Sequence, residues 1–259
     1  MCRFLLFQGR SPRKLSEFLV DPKHALAEQA LAPRELELNL PSADGWGVSW
    51  YEAASSAPAV YRCVLPMWRD NNLHTLTPHV STRHCIAATR VATGETELSL
   101  TSVQPFVHER LSFAHNGELS CFERAFLKPI RERLSDSSQG LPRAVTDSAH
   151  LFALWVDLMS SAKSVIAAAE QLIDGVHDLC ELVGHGAKLN LLLSDGYDAV
   201  AVRYATAGEK PPSLYWRALS DGIVVASEPL DPAEPGWQSV NPNTRLAFRE
   251  GELMSERRY

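Results

Sequence analysis

The 259-residue sequence predicts an α+β fold in which two packed sheets lie between helical layers. Three observations carry this expectation. Strand-like segments occupy both the first half and the last quarter of the chain. A pair of long amphipathic helices, at about 146–161 and 165–183, falls between them. No Pro/Gly/Ser-rich linker, repeat or low-complexity run splits the chain. Sheets with an apolar face and helices with an apolar stripe cover one another by stacking in layers.

The elements follow in order. Arg3 to Gln8 reads as a buried strand closed by Gly9. Ser11-Pro12 carries the Ser N-cap and Pro-at-N1 signature of a short helix, with Leu15, Phe18 and Leu19 on one face. A second helical patch covers about His24 to Leu31, and residues 32–42 are extended and irregular. In Asp44-Gly45-Trp46-Gly47-Val48-Ser49-Trp50-Tyr51, two glycines bracket a tryptophan at a strand entry, a pattern for a tight turn and close backbone approach. Ala53 to Pro58 is a hairpin loop and Ala59 to Leu65 its returning strand. Residues 66–81 form a long polar connection. Trp46, Trp68, Asn71 and Asn72 have two readings, as pocket walls or as packing residues.

His84 to Thr89 is a strand that delivers Arg90, ahead of Val91-Ala92-Thr93-Gly94. A guanidinium at the end of a buried strand needs an anionic partner, either a protein carboxylate or a ligand. Leu111 to His115 is a further strand running into Asn116-Gly117, a dipeptide that taken alone is a strong hairpin signal. Phe122 to Leu134 reads as helical, interrupted at Pro129, with a loop over Ser135 to Pro142. Thr146-Asp147-Ser148 caps a helix to about Ser161, with Leu151, Leu154, Trp155 and Leu158 on one face. Asp147 there is ordinarily a cap worth about 1 kcal/mol. The helix Val165 to Val183 follows. Strands at Lys188 to Leu193, Ala199 to Tyr204, Ser213 to Ala218, Gly222 to Ser227 and Thr244 to Glu250 complete the domain, with turns at Ser194-Asp195-Gly196-Tyr197 and Ser220-Asp221.

Composition narrows the class. Apolar content of 45% and charged content of 22% are those of a globular chain with a sizeable core. A net charge of -6 argues against a nucleic-acid partner. No apolar run reaches the roughly 18 to 20 residues of a membrane span, and Phe4-Leu5-Leu6-Phe7 is too short for a signal peptide. The five cysteines are odd in number and form no CxxC pair, which fits reduced thiols in a cytoplasmic protein. Cys63, Cys85, Cys121 and Cys180 read as small buried apolar residues. The nine histidines show no metal-ligand spacing, and His185, between Gly184 and Gly186, reads as a turn residue. There is no GxSxG elbow and no P-loop.

Cys2 remains as the candidate nucleophile. Removing Met1 would leave one residue with a thiol and a free α-amine, hence a nucleophile and a base together. A chain that keeps Met1 has an amide in place of that base.

Cys2, Asp44-Gly45-Trp46-Gly47, Arg90 with Gly94, His115-Asn116-Gly117 and Thr146-Asp147-Ser148, in this order and spacing, resemble the class II (N-terminal-nucleophile, Ntn) glutamine amidotransferase family. The resemblance extends through Leu189-Asn190-Leu191-Leu192-Leu193-Ser194-Asp195-Gly196 and Val225-Ala226-Ser227-Glu228-Pro229. It covers nearly the whole chain, so that 2–259 is expected to be a single domain. The Met1-Cys2-Arg3 start and stand-alone length are most similar to the ergothioneine-biosynthesis γ-glutamyl amidohydrolases of that family.

The resemblance implies a four-layer αββα sandwich of two antiparallel sheets between helical layers. It implies Cys2 as nucleophile toward a γ-glutamyl amide, with its α-amine, of unperturbed pKa about 7.7 to 8.0, as base through a water. The Asn116 side chain and the Gly117 backbone N–H would form the oxyanion hole. Arg90 would hold the substrate α-carboxylate and Asp147 its α-ammonium. Neither cofactor nor metal is implied. Apart from the resemblance, Ser227 and Glu228 have two readings, as a supporting pair near the sheet end or as residues with no part in the site.

Three positions depart from the common pattern of the family. Ala88-Thr89 stands before Arg90 where relatives often carry His-Val. Gln104-Pro105-Phe106 replaces His-Pro-Phe, and Ala149 replaces a Glu. All three bear on how the site is supported. The expected reaction is release of glutamate from γ-glutamyl hercynylcysteine sulfoxide by a free-standing enzyme, with room for a partner enzyme of the same pathway. The alternatives are a glutaminase subunit passing ammonia to a separate partner, and a non-catalytic γ-glutamyl binder. Intact Cys2, Arg90, Asn116, Gly117 and Asp147 count against the last.

Overall fold

The computed structural model describes residues 2–35, 40–92 and 98–259. The readings of Met1, Thr93 and Gly94, and part of the irregular stretch 32–42, therefore lie outside the described residues. The chain begins with β1 (Arg3–Lys14), α1 (Ser16–Leu19), α2 (Leu26–Leu31), β2 (Trp46–Trp50), β3 (Ala59–Cys63), α3 (Asn72–Leu76) and β4 (Ser81–Thr89). Next come β5 (Phe106–His108), β6 (Leu111–Leu119), α4 (Phe122–Ala125), α5 (Leu127–Arg133), α6 (Asp147–Met159) and α7 (Val165–Val183). The remainder is β7 (Ala187–Ser194), β8 (Asp198–Ala205), β9 (Tyr215–Leu219), β10 (Gly222–Ala226), β11 (Gln238–Ser239), β12 (Thr244–Arg249) and β13 (Glu252–Arg258).

These strands form a seven-stranded sheet, β11-β9-β10-β1-β4-β2-β3, and a six-stranded sheet, β13-β12-β8-β7-β6-β5. Neighbouring strands are antiparallel throughout. Alternation of side chains across each strand sorts the apolar residues into three layers. Leu5 and Phe7 pack with Phe18, Leu19 and Leu26 of α1 and α2. Phe4, Leu6, Ile86 and Ala88 meet Ala114, Leu192, Ala201 and Phe248 between the sheets. Phe113, Leu191 and Val202 pack under Leu151, Trp155, Leu172 and Val176 of α6 and α7. The result is the expected αββα sandwich.

Several local expectations are corrected. Ser11-Pro12 does not open a helix, because β1 runs on to Lys14 and re-pairs at Arg13↔Thr82 after a register shift beyond Gln8. Pro12 lies in that shift, where β4 offers no partner and a missing N–H costs nothing. Asn116-Gly117 is not a hairpin, since β6 continues through it with Asn116 opposite Asn190 and Gly117 opposite Leu189. The break in the 122–134 helix falls at Phe126, not at Pro129. Pro129 lies in the first turn of α5, where a backbone N–H would have no helical partner and the lack of one costs nothing. Thr146, not Asp147, caps α6, accepting from the Ala149 N–H at 3.2 Å. Cys85 and Cys180 are buried, but Cys63 is partly exposed and Cys121 exposed.

Candidate active site

Cys2 precedes β1 on the same side as Phe4 and Leu6, so its thiol opens toward the seam between the sheets. There it lines a cavity of about 400 Å³ together with Arg90, Gly117 and Asp147. Four of the five expected site residues therefore meet in one cavity. The fifth, Asn116, is fully buried beside Gly117 and does not line it. Among the described residues neither its Oδ1 nor its Nδ2 has a hydrogen-bond partner. An unpaired buried amide costs about 1–3 kcal/mol.

The Arg90 backbone is fixed by the Asp44-Gly45 turn. Its N–H donates to the Gly45 carbonyl at 2.8 Å, and its own carbonyl accepts from Asp44 N–H at 3.0 Å. The Asp44 carboxylate takes the Ala92 N–H at 2.7 Å. Gly45 has φ +111°, and a Cβ there would stand 2.8 Å from the Cys63 carbonyl, which is why the turn requires glycine. Trp46 is core instead of pocket wall. Its indole is fully buried and donates to Asp70 at 3.0 Å. Trp68 packs on the same core, Asn72 donates to the Tyr61 hydroxyl, and none of Trp46, Trp68, Asn71 or Asn72 lines the cavity.

The edge of β6 explains Gly117. Beyond β5, no strand among the described residues lies beside that edge. His115 is served there by the Gln104 side chain, whose Oε1 accepts from His115 N–H at 2.5 Å while Nε2 donates to His115 O at 3.0 Å. Leu119 N–H, four residues on and on the same edge, donates to Asp147 Oδ2 at 3.1 Å. Backbone groups alternate sides along a strand, so the Gly117 N–H lies between these two and points away from β7, into the cavity. A Cβ at Gly117 would fall 1.8 Å from the Lys188 carbonyl oxygen, so glycine is obligatory.

With Thr146 as cap, the Asp147 carboxylate takes two backbone donors, Leu119 N–H at 3.1 Å and Ser148 N–H at 2.6 Å, and its Oδ1 lies 3.2 Å from the Ser148 hydroxyl. Burial raises the Cys2 thiol above its ordinary pKa, only partly offset by the Val91 N–H, so the sulfur needs a base to become a thiolate. His115 is pushed down by burial, against the nearby Asp147 carboxylate, and stays neutral.

Behind Cys2, strand β1 is tied to the far end of the chain. Phe4 N–H donates to Ser227 Oγ at 3.1 Å, and Ser227 N–H returns a bond to Phe4 O at 3.1 Å. Arg3, fully buried on the opposite side from Cys2, meets Glu228 at 3.3 Å. Glu228 also takes His24 Nε2 at 2.6 Å and the N–H groups of Arg34 and Glu35 at 3.0–3.1 Å. Burial alone would raise the Glu228 carboxyl, but His24, Arg3 and these N–H groups outweigh it and hold it low. Sequence reasoning missed the roles of Gln104 and Thr89, two of its departures. Thr89 Oγ1 accepts from Arg3 N–H at 3.2 Å.

No group of three or more His, Cys, Asp and Glu residues suited to a metal occurs among the described residues. No helix described is long and apolar enough to cross a membrane.

The αββα sandwich is the architecture of the Ntn hydrolases, enzymes that cleave amide bonds. The model of the class-II glutamine amidotransferases matches residues 26–207, and the chain belongs to that family. It is 30% identical to the gamma-glutamyl-hercynylcysteine sulfoxide hydrolase of Mycobacterium tuberculosis, over 93% of this chain and 89% of that protein. It is 28% identical to the probable glutamine amidotransferase DUG3 of Saccharomyces cerevisiae, over 98% and 83%. Among solved structures, a glutamine aminotransferase class-II domain protein from Silicibacter pomeroyi superimposes with a TM-score of 0.71 at 25% identity, covering 100% of this chain and 99% of that one. The glutamine phosphoribosylpyrophosphate amidotransferase of B. subtilis shares the fold at a TM-score of 0.61 and 15% identity, over 100% and 49%.

Proposed function

We propose that the protein is a γ-glutamyl amidohydrolase, formed by one domain over 2–259, that uses Cys2 as an N-terminal nucleophile. The observation that carries this reading is the meeting of Cys2, Arg90, Asp147 and the Gly117 N–H in one cavity. Arg90 pairs with the substrate α-carboxylate through its guanidinium fork, and Asp147 takes the α-ammonium. The δ-carbonyl is then presented to Cys2. Once Met1 is removed, the α-amine takes the thiol proton through a water, and Sγ attacks the carbonyl carbon. Gly117 N–H and the buried Asn116 amide receive the developing oxyanion, each such donor being worth about 10²- to 10³-fold in rate. The same α-amine protonates the leaving amine, and water cleaves the thioester to release glutamate.

The substrate proposed is γ-glutamyl hercynylcysteine sulfoxide, supported by the 30% identity to a hydrolase so named. Phe122, Glu123 and Arg124 on the cavity wall offer an aromatic face and both charges to the leaving amine. The family and the yeast relative favour glutamine as a second reading. Glutamate release from glutamine and from a γ-glutamyl thio-conjugate decides between them. Turnover of glutamine alone would sink the conjugate reading. Cys2→Ala should abolish release and keep the fold, and near-normal activity in that variant would overturn the mechanism.

A further inference from the structure

We infer that His115 is a positioning residue which, through Ser148, keeps the Asp147 carboxylate open to the substrate α-ammonium. This rests on the role proposed for Asp147 above.

The argument is a count of hydrogens. His115 Nε2 lies 3.2 Å from the Lys188 carbonyl, which can only accept. Nε2 therefore carries the ring hydrogen, and Nδ1 of the neutral ring is an acceptor. Ser148 Oγ stands 2.9 Å from that Nδ1 and 3.2 Å from Asp147 Oδ1. One hydroxyl hydrogen has two claimants. While His115 is neutral, the hydrogen goes to Nδ1. Asp147 then keeps only its two backbone donors, Ser148 N–H and Leu119 N–H, and its other lone pairs face the cavity.

Protonating His115 reverses the chain. Nδ1–H would donate to Ser148 Oγ, and the hydroxyl would turn to Asp147, occupying the acceptor that the ammonium needs. The ring is held for this task. Gln104 clamps both its backbone N–H and its C=O, and a Cβ on Gly117 would come within 2.8 Å of Nε2. The charged groups facing His115 are Asp147 from α6 and Glu118 from β6, and β7 presents the Lys188 carbonyl. The Lys188 ammonium is itself paired with Glu118 at 3.0 Å and Glu209 at 3.2 Å. Burial outweighs the two carboxylates nearest the ring, so the neutral arrangement holds at ordinary pH.

The experiment divides KM for a γ-glutamyl amide lacking its α-amine by KM for the same amide carrying it. The ratio of the two reports how well the ammonium is read. His115→Phe frees the Ser148 hydroxyl to bond Asp147, so the ratio should fall about ten-fold. Adding Ser148→Ala removes that hydroxyl and should restore the ratio to within about two-fold of the parent. A merely structural role predicts no such rescue. An unchanged ratio in His115→Phe, or a double variant no better than the single, overturns the inference. Asp147→Asn is the control. If it leaves the ratio intact, the assignment of Asp147 itself fails; if it collapses the ratio and the rescue is absent, only the His115 inference fails. Should His115→Phe not fold, His115→Leu is read in the same way, alone and with Ser148→Ala, and an unchanged ratio or an absent rescue overturns the inference.

Discussion

The side-chain amide of Gln104 makes both hydrogen bonds to the His115 backbone that a neighbouring strand would have made. It stands where β5, extended two residues back from Phe106↔Phe113, would have met β6. One side chain thus ends the sheet early and leaves the next free donor, Gly117 N–H, for the cavity. Gln104→Leu should leave a buried N–H and C=O unpaired at a cost of about 1–3 kcal/mol. Denaturant midpoints measure that loss, and kcat/KM should fall with it because the Gly117 edge is no longer held.

Gly117→Ala tests the same edge by steric means. With the Lys188 carbonyl 1.8 Å from the new Cβ, β6 and β7 must separate. A loss of about 3 kcal/mol or more is expected. Thermal unfolding of the purified variant reads it directly.

Arg90→Lys keeps the charge and loses the fork. If Arg90 holds an α-carboxylate, kcat/KM for the γ-glutamyl substrate should drop about 10- to 100-fold. The penalty should vanish for a substrate whose α-carboxylate is amidated. A variant equally impaired on both substrates would show that Arg90 serves the fold instead.

Glu228 makes the stability of the protein acid-sensitive. Its carboxyl is held below the ordinary glutamate value, about 4.3. Its contribution is therefore fully present above that value and is lost as pH falls through the lowered one. Glu228→Gln leaves Arg3 buried without its counter-charge, which should cost about 3 kcal/mol at pH 7. Urea midpoints between pH 7 and 3 should fall more steeply for the parent than for the variant.

Much of this was legible in the chain itself. The layers followed from where strands and amphipathic helices fall, and the motif order carried Cys2, Arg90, Gly117 and Asp147 into one cavity. What escaped was non-local. Asn116-Gly117 has the chemistry of a turn, and only the approach of Lys188 from β7 shows that the glycine serves a straight strand. Ser11-Pro12 has the local signature of a helix start, yet the ladder with β4 extends the strand past it. Gln104 looked like a departure because a side chain that imitates a strand has no periodicity to betray it. β13 was missed because all seven of its residues are exposed, so no apolar alternation marks it.

The position of β1 also sets a timetable. Its two neighbours are β4, nearby in sequence, and β10, which starts at Gly222. The bond from Phe4 to Ser227 spans 223 residues. At roughly 5–20 residues per second of synthesis, the first strand spends about ten to forty-five seconds on the ribosome before its last neighbour exists. The strand that Cys2 leads is therefore paired on both edges only when nearly the whole chain has been made.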